Sequence, residues 1–280
     1  MTRILLSLAA SLLSTAVLAH GAMPEAVFKL EPYRKTVALR ASVDGHTGLF
    51  VFDTAGGITL LAPDFARTIG CTPWGRLSGF QMTGKRLDAP RCDNVRIALD
   101  GHTFVAPVTA VIDPAPLMAK DAAPVAGSIA LDLFAGKAIT VDLVHRQLIV
   151  ETPASLHERV SHATPLPVLL SRELQGHALA ASVGVSTSHG MTWFELDTGN
   201  GGTLLVSQPY ASLFGLDADA KGPQTADIPV APDLHARGRA FTPDMAIDGN
   251  LGMPFLRGKV VTLDLAEGRL WIQAAGTQNP

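Results

Sequence analysis

Most of the chain alternates between short apolar runs and breaks at Gly, Pro, Asp or Asn. Residues 37–43, 95–99, 103–111 and 178–185 are rich in β-branched or apolar side chains and bounded in this way, so each is predicted to be a strand. Helical periodicity is scarce. Two short stretches have it, residues 63–69 and 208–214, and each runs into a glycine, Gly70 and Gly215, where helices commonly stop. The pattern predicts an all-β protein with a few short helices.

The apolar pattern is also written twice. Residues 41–43, a turn, and then Leu49-Phe50-Val51-Phe52-Asp53-Thr54-Ala55-Gly56-Gly57-Ile58-Thr59-Leu60-Leu61 return as residues 181–183, a longer turn, and Trp193-Phe194-Glu195-Leu196-Asp197-Thr198-Gly199-Asn200-Gly201-Gly202-Thr203-Leu204-Leu205. A second pair closes each copy. Residues 127–130 leading to 138–143 and 147–150 align without a gap to residues 249–252 leading to 260–265 and 269–272. Two matches in the same order predict two similar β-rich lobes. The polar stretch 151–164 lies between them, which divides the chain into residues 20–155 and 156–280.

Composition narrows the setting. The 280 residues are 47% hydrophobic and 17% charged, enough apolar material for a sizeable core. Twenty-two basic residues against 25 acidic ones, with no basic run, offer no footprint for nucleic acid. Residues 1–19 carry one early charge, Arg3, then an apolar stretch ending in Ala19. They are expected to be a secretory signal peptide, too short for a membrane span, with no later span to follow it. Its loss takes the formal charge from −3 to −4. Export permits a Cys71–Cys92 disulfide, although two buried, unbonded thiols fit the sequence equally well.

In each copy an Asp ends an apolar strand and is followed by Thr and small residues. A carboxylate there emerges from a buried strand into a tight turn. If the lobes pack about an approximate two-fold axis, Asp53 and Asp197 face each other and share one proton, the ionised member activating water and the protonated one polarising a carbonyl. With these residues, and with the downstream triplets 128–130 and 250–252, the chain resembles aspartic proteases of the pepsin and retropepsin type over residues 28–273. It is more similar to a bacterial retropepsin-like repeat fused in tandem than to the longer eukaryotic pepsins. The resemblance implies a two-lobed pepsin-like fold, Asp53 and Asp197 as catalytic dyad, and Thr54 and Thr198 as a cross-lobe pair. Ala55, Gly56, Gly199 and Asn200 are the supporting turn residues. The expected substrate is a peptide or unfolded protein, with no cofactor, no metal, and a monomer supplying both carboxylates.

The interval from Asp53 to Gly127 exceeds that from Asp197 to Gly249, and the surplus is expected to supply a hairpin covering the cleft. Gly79-Phe80-Gln81-Met82-Thr83-Gly84 is the expected flap, without the Tyr that relatives carry there. Ala55 and Ala130 depart from the family's glycines, and each adds a methyl where backbone and carboxylate pack closely. That leaves a degenerate, peptide-binding or envelope protein as the alternative to an endopeptidase. Asp142 and Asp264 match between copies but lie in strand-like runs and are expected to be structural. No zinc-hydrolase, serine-hydrolase, calcium-loop or phosphate-loop motif is complete.

Overall fold

A computed structural model describes residues 21–117 and 120–274; the expected signal segment, 1–19, lies outside them. Three sheets make up the β-structure of these residues. The first half of the chain forms an eight-stranded sheet and the second half a seven-stranded one, while a five-stranded sheet is built from both. The strands foreseen from the apolar runs appear as Thr36–Val43, Arg86–Leu99, His102–Val111 and Ala180–Thr187. The two helix-like stretches become an α-helix, Pro63–Thr68, and a 3₁₀ turn, Gln208–Phe214, which Gly215 closes in the left-handed conformation.

The two larger sheets repeat one motif. In the first, His46–Phe52 pairs in parallel with Gly127–Ile129, which pairs antiparallel with Leu60–Leu61. In the second, Gly190–Leu196, Gly249–Leu251 and Leu204–Val206 do the same. The middle strand is squeezed from both sides, which explains the repeated glycines. A Cβ at Gly127 would lie 2.0 Å from the Leu60 carbonyl oxygen, and one at Gly249 would lie 2.3 Å from the Phe194 ring. Phe50 and Phe52 in one copy, and Phe194 and Leu196 in the other, are almost wholly buried. Roughly 1.5–3 kcal/mol of burial per side chain anchors the strands that end at the two Asp residues.

The shared sheet reveals the axis between the copies. Ala138–Asp142 pairs antiparallel with Lys259–Asp264, and Thr140 lies opposite Thr262, its own counterpart in the repeat. Their hydroxyls are 3.0 Å apart. Ile139 faces Leu263 and Val141 faces Val261, the reciprocal pattern that a local two-fold produces. Asp142 and Asp264 cap hairpin turns: Asp142 accepts the amides of Val144 and His145, and Asp264 those of Ala266 and Glu267. The connecting stretch contains a helix, Pro153–Val160. Thr152 caps it, and Glu151 ties it to the shared sheet by accepting from Thr140, Ser155 and Arg159.

Candidate active site

Asp53 and Asp197 follow directly on the strands His46–Phe52 and Gly190–Leu196, and their carboxyl groups meet at the junction of the two lobes, close enough for each to act on the other's ionisation. A reciprocal lock below them fixes this meeting. The Thr54 amide donates to the Thr198 hydroxyl at 3.1 Å, and the Thr198 amide donates to the Thr54 hydroxyl at 3.1 Å. Each hydroxyl also donates across the interface, Thr54 to the Leu196 carbonyl at 2.5 Å and Thr198 to that of Phe52 at 2.6 Å. Both threonines are buried and line a small cavity together with Val141, Val261 and Leu263 of the shared sheet and the neighbouring Leu143. Breaking the lock would strand backbone groups without solvent, so the two Asp-bearing turns move as one unit.

The two carboxyls are not equivalent. Asp197 accepts from the Gly199 amide at 2.7 Å, the Asn200 amide at 2.9 Å and the Asn250 side-chain nitrogen at 2.7 Å. The Asp53 carboxyl accepts from the Ala55 amide at 3.1 Å, while the Gly56 amide donates to the Asp53 main-chain carbonyl at 3.3 Å. Burial raises both above the ordinary carboxylate range, and for Asp53 the Asp197 charge adds to it, reaching about 7. The donors around Asp197 oppose this rise, so the pair's negative charge sits on Asp197 and its proton on Asp53. The arrangement supplies a base and an acid at one point.

The lobes support their turns by different means. In the second, Asn200 donates to Asn250 at 2.8 Å, and a Cβ on Gly252 would come within 2.4 Å of the Asn200 carbonyl oxygen. In the first, the place of Asn200 is taken by Gly56, which has no side chain, and Ala130, fully buried, stands in the place of Gly252. The Ala130 methyl thus stands at the position where, in the second lobe, Gly252 makes room for Asn200. Asp132 does the bonding there, accepting from the Thr59 amide and hydroxyl at 2.9 and 2.7 Å, while that hydroxyl receives the Ala130 amide. Gly199 must stay small, since a Cβ would lie 2.7 Å from the Asp53 carboxyl carbon.

Residues 79–84 form the end of a hairpin between strands Trp74–Phe80 and Arg86–Leu99, and their tip reaches the second lobe, where the Met82 carbonyl accepts the Ala246 amide at 2.9 Å. Nearby, Leu174 of the second lobe packs on Gly79, and the Leu179 amide donates to Gly57 beside the Asp53 turn. Cys71 and Cys92 are disulfide-bonded, tying the segment after helix Pro63–Thr68 to the long hairpin strand. Among the described residues no group of three or more His, Cys, Asp or Glu is arranged to hold a metal ion, and no helix is long and apolar enough to cross a membrane. Three groups at the site carry no motif in the sequence: Asn250 as a donor to Asp197, Asp132, and Glu195. A mismatch between repeats, Val51 against Glu195, was the available signal for the last.

The fold has solved counterparts. Basic 7S globulin from soybean is 11% identical, with a TM-score of 0.56 over 88% of this chain and 94% of that one. Conglutin gamma, a basic 7S globulin from lupine seeds, is 12% identical, with a TM-score of 0.56 over 90% and 95%. The fold is the two-lobed, all-β, pepsin-like one. At these identities the likeness extends to the fold alone. No family model matches the sequence, and no curated protein matches it.

Proposed function

We propose that the protein is an exported aspartic-type endopeptidase acting on extended peptides or unfolded protein. The observation that carries this reading is the Asp53–Asp197 pair, held by the reciprocal threonine lock and surrounded by unequal donors. Asp197, as the ionised member, takes a proton from a water molecule while its oxygen attacks the scissile carbonyl carbon. Asp53 gives its proton to the carbonyl oxygen, producing a tetrahedral diol. Collapse of the diol breaks the C–N bond, with a proton passing to the amide nitrogen, and leaves a new carboxyl and a new amine. The remaining elements of the proposal are a signal peptide at residues 1–19, lobes at 20–155 and 156–280, and a monomer of tandem retropepsin-like descent in the periplasm or outside the cell. The disulfide supports the oxidising location.

The likeness to two seed globulins favours a second reading, in which the same cleft holds a peptide or envelope component without cutting it. One experiment separates them. An unfolded protein substrate is incubated across acid and neutral pH with the wild type, Asp53→Asn and Asp197→Asn, with and without a statine-type inhibitor. The peptidase reading expects inhibitor-sensitive cleavage by the wild type and none by either folded variant. Cleavage retained by a variant sinks the dyad, and no cleavage by the wild type at any pH leaves the binding reading.

A further inference from the structure

Glu195 is the last residue but one of the strand Gly190–Leu196, and Asp197 follows that strand with its amide still bonded to the Leu251 carbonyl, so the alternation of extended backbone carries both side chains to one face. Across the parallel pairing its neighbour is Asn250, the residue that donates to Asp197. This places Glu195 beside the dyad. Its carboxyl is half-buried, and among the described residues no hydrogen bond or ion pair reaches it. Burial, and then the acidic neighbours Asp197, Asp53 and Glu173, push its carboxyl up to about 8. Arg172, next to Glu173, is directed to the Gly176 carbonyl and pairs with neither.

The repeat supplies an internal comparison. The counterpart of Glu195 is Val51, which packs against a small apolar cluster of Tyr33, Ala38 and Val125. The scaffold therefore accepts an apolar residue here, and a half-buried carboxyl without a partner is a cost to the fold. A ligand cation removes that cost by taking the place of the proton, which passes to water, and leaving a carboxylate paired with the cation. Residues two apart on a strand are roughly 6.6 Å apart along it. A Lys or Arg side chain next to the bond presented to the dyad spans this distance.

Resting on the proposed peptide-binding cleft, we propose that Glu195, with Glu173 behind it, selects peptides carrying Lys or Arg immediately beside the scissile bond. Glu195 is then a specificity residue, its role separate from the proton chemistry of the dyad.

The test uses the full mature chain and non-cleavable statine-type peptides that differ only at the flanking position: Lys, norleucine or Glu. Binding is followed by fluorescence anisotropy at pH 7 with the wild type, Glu195→Gln and Glu195→Val, each checked for folding by thermal melting. The expected result is a Lys peptide bound at least tenfold more tightly than norleucine by the wild type, a ratio near one in Glu195→Gln, and a reversed order in Glu195→Val. Equal binding of Lys and norleucine by the wild type, a preference that survives in both variants, or no binding of any peptide overturns the inference. Cleavable versions run alongside distinguish the failures. Lys-selective binding without turnover upholds the role of Glu195 and removes the peptidase reading, whereas turnover without Lys selectivity does the opposite.

Discussion

Asn250 sets the inequality of the two carboxyls, and the repeat contains its natural replacement. The matching residue of the first lobe is Ser128, so Asn250→Ser makes the second turn resemble the first. The substitution removes the 2.7 Å bond to Asp197 and leaves that carboxylate with backbone donors alone, the amides of Gly199 and Asn200, as Asp53 has only the backbone amide of Ala55. A hydrogen bond to a charged group contributes about 1.5–3 kcal/mol. At about 1.4 kcal/mol per pK unit, losing it disfavours the ionised form of Asp197 by about one to two units. The direction is fixed. Asp197 must be ionised to accept a proton, so the acid limb of the pH–rate profile moves to higher pH by that amount. The alkaline limb, set by loss of the Asp53 proton near 7, moves much less, because Asn250 donates nothing to Asp53. A profile of kcat/KM, together with a carboxyl-carbon NMR titration that does not depend on turnover, measures both limbs. An acid limb that stays in place, or moves to lower pH, would refute the assignment of the negative charge to Asp197.

Two further outcomes follow from the packing. Thr198→Val strands the Phe52 carbonyl and the Thr54 amide, and Thr54→Val strands the Leu196 carbonyl and the Thr198 amide; at about 1–3 kcal/mol for each buried orphan, either variant loses roughly 2–6 kcal/mol. Urea unfolding should give matching losses, and a loss below about 1 kcal/mol in either would contradict the lock. Replacing Cys71 and Cys92 by Ser opens a loop with a sequence separation of 21, which on the chain-entropy account costs about 3 kcal/mol; a midpoint unchanged by the substitution and by reductant would show that the crosslink contributes nothing.

How much of this was legible beforehand divides along one line: whether a feature is local in sequence. The strand runs, Gly70 and Gly215 as stops, and the Asp-Thr turns are local, and the doubling of the pattern made the two-lobed architecture readable. The hairpin ending at residues 79–84 was legible as a surplus between anchors, but its contact with Ala246 depends on how the lobes pack. Ala130, read singly, is one added methyl beside a carboxylate turn. Set against the second lobe, it occupies the place of a glycine that makes room for Asn200, whose own counterpart is Gly56, and only the fold shows that Asn200 and Gly252 touch. Glu195 was hidden for a related reason. Alternation along a strand assigns a residue to a face without saying what covers that face. Val51 and Glu195 occupy the same place in the pattern, yet one sits under Tyr33 and Val125 and the other beside two carboxyls with no partner. A repeat written twice is therefore most informative about function where its copies disagree in polarity, because the shared scaffold accepts either residue and the difference must answer to something outside it.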